Sequence, residues 1–161
     1  MNKQGFTLIE ILTAVIIVAI LTVMAMPLYE KTIERSRLAE ARTIMNRLQE
    51  AKLAAMDNMD CDTYDSTSSK CPKLQHLGAS FVSSASGTTF QTKDFTYSLA
   101  PTATNCANGI SATRRGGDYK DTVFVYYGMR QDGREAVFAC TAGSCDAYGF
   151  DKDTNLNCNQ S

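Results

Sequence analysis

The chain has 161 residues, 16 Lys and Arg against 17 Asp and Glu, and a pI near 5.8. That length accommodates one domain with an appendage, and a net charge of −1 gives no overall attraction to nucleic acid or to an anionic membrane. With one histidine, no G-x-S-x-G and no phosphate-cradling Gly-Lys-Ser/Thr loop, the sequence carries no recognisable catalytic machinery and is not expected to be an enzyme.

The first element is apolar. From Phe6 to Met26 the only charge is Glu10 and the only other polar residues are three threonines. As a helix this run is about 31 Å long, against about 30 Å for a bilayer's hydrocarbon core, so it can span. It is apolar all round rather than striped, unlike a surface helix. It continues to Pro27 and a charged segment without an A-x-A-like cleavage site, unlike a secretory signal peptide. Lys3 precedes it, and Lys31, Arg35 and Arg37 follow it. Charge alone would therefore keep the larger part in the cytoplasm. The cysteines point the other way. Cys61, Cys71, Cys106, Cys140, Cys145 and Cys158 form no C-x-x-C pair, and their even number in a loop-rich domain favours disulfides in an oxidising compartment. The cysteines carry more weight, and the larger part is expected outside the cytoplasm.

Glu10 is the anomaly. A carboxylate at the centre of a spanning helix costs about 3 kcal/mol, less near an end, and it calls for a cationic partner. No lysine or arginine lies nearby in the run, so the remaining source of positive charge is an amine made by cutting the chain before Phe6.

"KQG" followed by "FTLIE" resembles the prepilin signature of type IV pilins and type II secretion pseudopilins. The resemblance implies cleavage after Gly5 by a membrane prepilin peptidase and N-methylation of Phe6. It also implies that Glu10 neutralises the terminal amine of a neighbouring subunit during assembly. A lone carboxylate and a lone ammonium in lipid each carry a desolvation penalty that pairing offsets, so Glu10 would sense axial register. The motif and apolar run cover about the first quarter of the chain; the remainder agrees only in general layout.

Pro27 cannot donate a helical backbone bond, so a kink or local melting is expected near residues 22–27. The helix then resumes from Leu28, with an apolar stripe of Ile33, Leu38, Ala41, Ile44, Met45, Leu48, Ala55 and Met56. Charges such as Glu34 and Arg37 are expected on the other, solvated face, and the helix should end near Asp57–Asp60. "CDTYDSTSSKC" reads as a polar loop that Cys61–Cys71 can close. Cys140–Cys145 is the other local pairing, leaving Cys106–Cys158, with Cys140–Cys158 as a rival. "DFTYSLA" (94–100), "DTVFVYYGM" (121–129) and "REAVFAC" (134–140) are strand candidates, with an Asp-Gly hairpin turn between the last two. The expected fold class is α+β: a long N-terminal helix packed on a small antiparallel sheet, pilin-like by resemblance.

Three further features were weighed. His76 is expected to be a surface loop residue. "TRRGGDYK" (113–120) places Arg114 and Arg115 in a Gly-rich loop, where Asp118 and Asp121 dilute the positive charge; a solvated loop meeting a neighbouring subunit is expected, with no nucleic-acid partner. "DKDTNLN" (151–157) spaces Asp151, Asp153 and Asn155 like calcium ligands, but Leu156 stands where an EF-hand loop needs Gly. A solvated tail with no cofactor is expected, although some pseudopilins hold calcium in such loops.

The resulting division is a leader at 1–5, a transmembrane and filament-core helix at 6–27 and an amphipathic helix at 28–58. A disulfide-containing loop region at 59–93, a sheet at 94–150 and a tail at 151–161 follow. The implied function is that of a type IV pilus subunit, single-pass in the inner membrane as precursor. It would be cut by prepilin peptidase, handled by the pilus assembly machinery and polymerised into a homo-oligomeric helical filament at the cell surface or in the periplasm. A type II secretion pseudopilin is the alternative, and an uncleaved, membrane-anchored binding domain a more distant one.

Overall fold

A computed structural model describes residues 7–61, 68–78, 87–99, 109–127 and 137–152. One helix, α1 (Leu8–Asn58), runs the length of the molecule, about 76 Å at 1.5 Å per residue. Thr7 caps it, accepting the Glu10 amide on its hydroxyl at 3.4 Å. The helix passes through Pro27 without interruption, and residues 22–27 are helical rather than melted. A proline removes one bond from the ladder but has a helical φ, so the flanking turns carry the helix across it.

Five antiparallel strands form a meander in the order β1 (Thr89–Gln91), β2 (Phe95–Ser98), β3 (Ile110–Arg114), β4 (Val123–Tyr127) and β5 (Val137–Ala142). The sheet therefore begins inside the span expected to be loop, at Thr89 rather than 94. Two strands, β1 and β3, escaped the sequence reading. Each is short, and "TFQ" and "ISATR" lack the run of large β-branched and aromatic residues that marks β4. In a meander each strand reverses the last, so the turns alternate between the two ends of the sheet.

The core lies between the second half of α1 and one face of the sheet. Ala41, Met45 and Leu48 are fully enclosed and face Phe95, Tyr97, Ala112 and Phe124, which are also enclosed. Cross-strand pairing places Tyr97 beside Ala112, Ala112 beside Phe124 and Phe124 beside Cys140 on that face. Phe124 makes edge contacts with Phe95 and Tyr148 and stacks on Phe138. Full burial of such a side chain stabilises by roughly 1.5–3 kcal/mol.

Two disulfides join described residues. Cys61–Cys71 ties the chain just beyond the helix to the segment before a 3-10 turn (Leu74–His76). Cys140–Cys145 links β5 to a second 3-10 turn (Cys145–Tyr148), so the rival Cys140–Cys158 pairing does not form. Cys106 and Cys158 lie outside the described residues, as does the Asp-Gly turn between β4 and β5.

Candidate assembly helix and its junction with the domain

The two halves of α1 have opposite surroundings. From Leu8 to Tyr29 the apolar side chains stand exposed, with Ile16 the least accessible at 51% and Leu8 the most at 84%. This stretch is long and apolar enough to cross a membrane. Among the described residues nothing in the domain covers it, so its apolar surface demands lipid or other protein chains. Glu10 sits exposed in the first helical turn. There the helix dipole favours a negative charge by about 0.3–1 kcal/mol, less than the cost of placing that charge deep in lipid. "TLIE" also has the spacing of a capping box, a sequence signal that the reading above did not use. Gly5 and Phe6 lie outside the described residues.

The domain begins where burial begins, and the first buried residue is charged. Glu34, 5% exposed, accepts hydrogen bonds on both carboxylate oxygens from Arg114, at 2.9 Å from Nε and 2.9 Å from Nη2. The Tyr148 hydroxyl donates to Glu34 Oε2 at 2.8 Å, and Arg37 pairs with Oε1. Arg114, 4% exposed, also donates from Nη1 to the Asp94 carbonyl at 2.9 Å and lies 3.2 Å from its carboxylate. One cluster thus joins the helix, the β1–β2 turn, the end of β3 and the second 3-10 turn. Burial pushes the Glu34 pKa upward, but hydrogen bonds from Arg114, Tyr148 and Arg37 outweigh it and hold the carboxyl at about 2. The Tyr148 phenol is pushed up by burial and by the adjacent carboxylate.

This corrects two expectations. Glu34 is not on a solvated face, and Arg114 is not in a loop but in β3, with the turn starting at Arg115. Each residue is buried only because the other is there. In sequence they lie 80 positions apart, so no local pattern pairs them.

Lys52 was missed as well. It is fully buried, and its ammonium donates to the carbonyls of Leu99 at 2.6 Å and Gly109 at 3.0 Å, holding the end of β2 near the start of β3. Burial lowers its pKa to about 7. The usable signal was position: Leu38, Ala41, Met45, Leu48, Lys52 and Met56 fall on one helical face. Of the predicted stripe, Ile33, Ile44 and Ala55 are only half-buried.

His76 is exposed and accepts the Lys73 amide on Nδ1 at 2.9 Å, a local turn contact. Asp151 is exposed, while Asp153 and Asn155 lie outside the described residues. Among the described residues no group of three or more His, Cys, Asp or Glu is placed to hold a metal ion.

Residues 1–26 match the family model of the prokaryotic N-terminal methylation motif, the class III signal peptide of type IV pilins and pseudopilins. The match thus covers the residues before α1 and most of its exposed apolar half. No curated protein and no solved structure matches the chain. A long N-terminal helix on a five-stranded antiparallel sheet is an α+β arrangement consistent with a pilin-like fold. Motif and apolar helix together fit a precursor anchored in the inner membrane.

Proposed function

We propose that this chain is a structural subunit of a type IV pilus filament. Prepilin peptidase cuts after Gly5, Phe6 becomes N-methylated, and the exposed half of α1 then moves from the lipid into the filament core. Glu10 pairs there with the Phe6 amine of a neighbouring subunit. Packing one patch of each subunit on a different patch of the next, without ring closure, generates a helical fibre.

The observation that carries this reading is the all-round exposure of an apolar helix with one carboxylate in its first turn, continuous with a folded domain. The disulfides within the domain suit an exposed position outside the cytoplasm. A type II secretion pseudopilin uses the same leader and polymerisation chemistry, so the filament's location distinguishes the two.

The test is intact mass and N-terminal chemistry of membrane-extracted protein, without reductant, from cells with active prepilin peptidase. The expected product begins at N-methyl-Phe6. A chain that still begins at Met1 would leave Glu10 without its amine and would favour an anchored domain that never polymerises.

A further inference from the structure

We infer that, before assembly, the domain rests on the lipid headgroups through one end of its sheet, the end formed by the β1–β2 turn, the β3–β4 turn and the second 3-10 turn. This rests on the reading of Leu8–Tyr29 as a membrane span. Two contact sets fix which end faces the lipid. At one end Arg114, Asp94 and Tyr148 meet the helix at Glu34 and Arg37. At the other, Leu99 and Gly109 meet Lys52, about 27 Å further along the helix at 1.5 Å per residue. The strands run between these levels, so the β1–β2 turn at 92–94, residues 115–122 and residues 143–149 make up the end nearest the span.

Distance places that end at the membrane surface. Leu8–Tyr29 amounts to about 33 Å of helix and fills a hydrocarbon core of about 30 Å, with Tyr29 at the depth where aromatic rings collect. Glu34 is five residues further, roughly 7.5 Å, whereas the headgroup layer adds roughly 5–7 Å on each side. The helix is unbroken from Tyr29 to Glu34, so no hinge in its hydrogen bonding lifts the domain away. The junction is also tied by side chains: the Glu34–Arg114–Tyr148 cluster fixes the sheet to the helix.

The chemistry of this end selects the surface. Exposed Lys93, Arg115 and Lys120 are interspersed with exposed Asp118, Asp121 and Asp146. A polybasic patch would seek anionic lipid. Alternating signs instead match a zwitterionic headgroup, which presents a phosphate and an ammonium together. Such a surface supports the subunit without holding it, which suits a chain that must later leave the bilayer.

The experiment places the full-length, disulfide-intact chain in nanodiscs of phosphatidylethanolamine, with or without phosphatidylglycerol, doped with a headgroup-chelated paramagnetic lanthanide. Broadening of backbone amide signals is then read. Expected are broadened amides at residues 27–31, Arg115–Asp121 and Ser144–Gly149, with Leu74–His76 unaffected, in both lipid mixtures. Broadening at 27–31 but not in the two rim segments would overturn the inference while leaving the span intact. Equal broadening at Leu74–His76 would overturn it too, since no face would then be preferred. Rim broadening only with phosphatidylglycerol would overturn the zwitterionic assignment. No broadening at 27–31 would remove the membrane span and the inference with it.

Discussion

Glu34 illustrates how much one side chain can carry. Its carboxylate is buried against Arg114, and removing one member of a buried pair leaves the other charge uncompensated. Glu34→Gln is expected to destabilise the domain by about 3 kcal/mol at pH 7, measured by denaturant unfolding. The pH dependence has a definite sign. The folded pKa is about 2 against an ordinary value of 4.5, so the stabilisation is present above about pH 4.5 and is lost as pH falls through about 2. The Gln variant should lack that acid-side loss. Lys52 works in the other sense. Its folded pKa is about 7 against 10.5, so the unfolded chain binds more protons between those values and stability rises with pH across that window. Lys52→Met should flatten the rise, and unfolding midpoints from pH 7 to pH 10 measure it. An unchanged slope would mean that the carbonyls of Leu99 and Gly109 keep the ammonium charged. Neither residue's role was legible in sequence, because Glu34 and Lys52 look like ordinary solvated charges on a helix until their distant partners are known.

Among the elements, the turns carry the sharpest constraints. Gly143, after β5, has φ +82°, and a Cβ there would lie 2.5 Å from the Thr122 Cα. Thr122 is itself buried and accepts the Ser144 amide at 3.2 Å, so the backbone has no easy retreat. Gly143→Ala should cost more than about 1 kcal/mol, through both strain and collision; thermal unfolding would report it, and a neutral result would mean the turn can rearrange. The Cys61–Cys71 crosslink closes a loop with a sequence separation of 10. Replacing both cysteines with serine should cost roughly 2–3 kcal/mol by the chain-entropy argument, read from the same melts. Of the strands, β2, β4 and β5 could be read from aromatic and β-branched runs; β1 and β3 could not, because neighbouring strands rather than local propensity hold them in place.

For the whole molecule, the division of α1 into an exposed apolar half and a half packed on the sheet is the organising feature. On the proposed function, Glu10→Ala is expected to leave cleavage at Gly5 unaffected and to reduce filament yield, because that reading gives the carboxylate a part in assembly rather than in folding. Filament yield by shear and sedimentation, beside processing scored by mass, separates the two effects. Wild-type yield from the variant would remove Glu10 from the assembly step.

The sequence by itself determined an apolar helix long enough to span a membrane, the N-terminal methylation motif and the α+β class. Those rest on local quantities: apolar length, a short motif at fixed spacing and runs of strand-forming residues. Only the tertiary structure decided which charges are buried, which end of the sheet faces the span and that Pro27 leaves the helix unbroken. Burial of Glu34 and Arg114 depends on a contact between residues 80 positions apart, and the free energy of such a pair exists only once the chain brings them together.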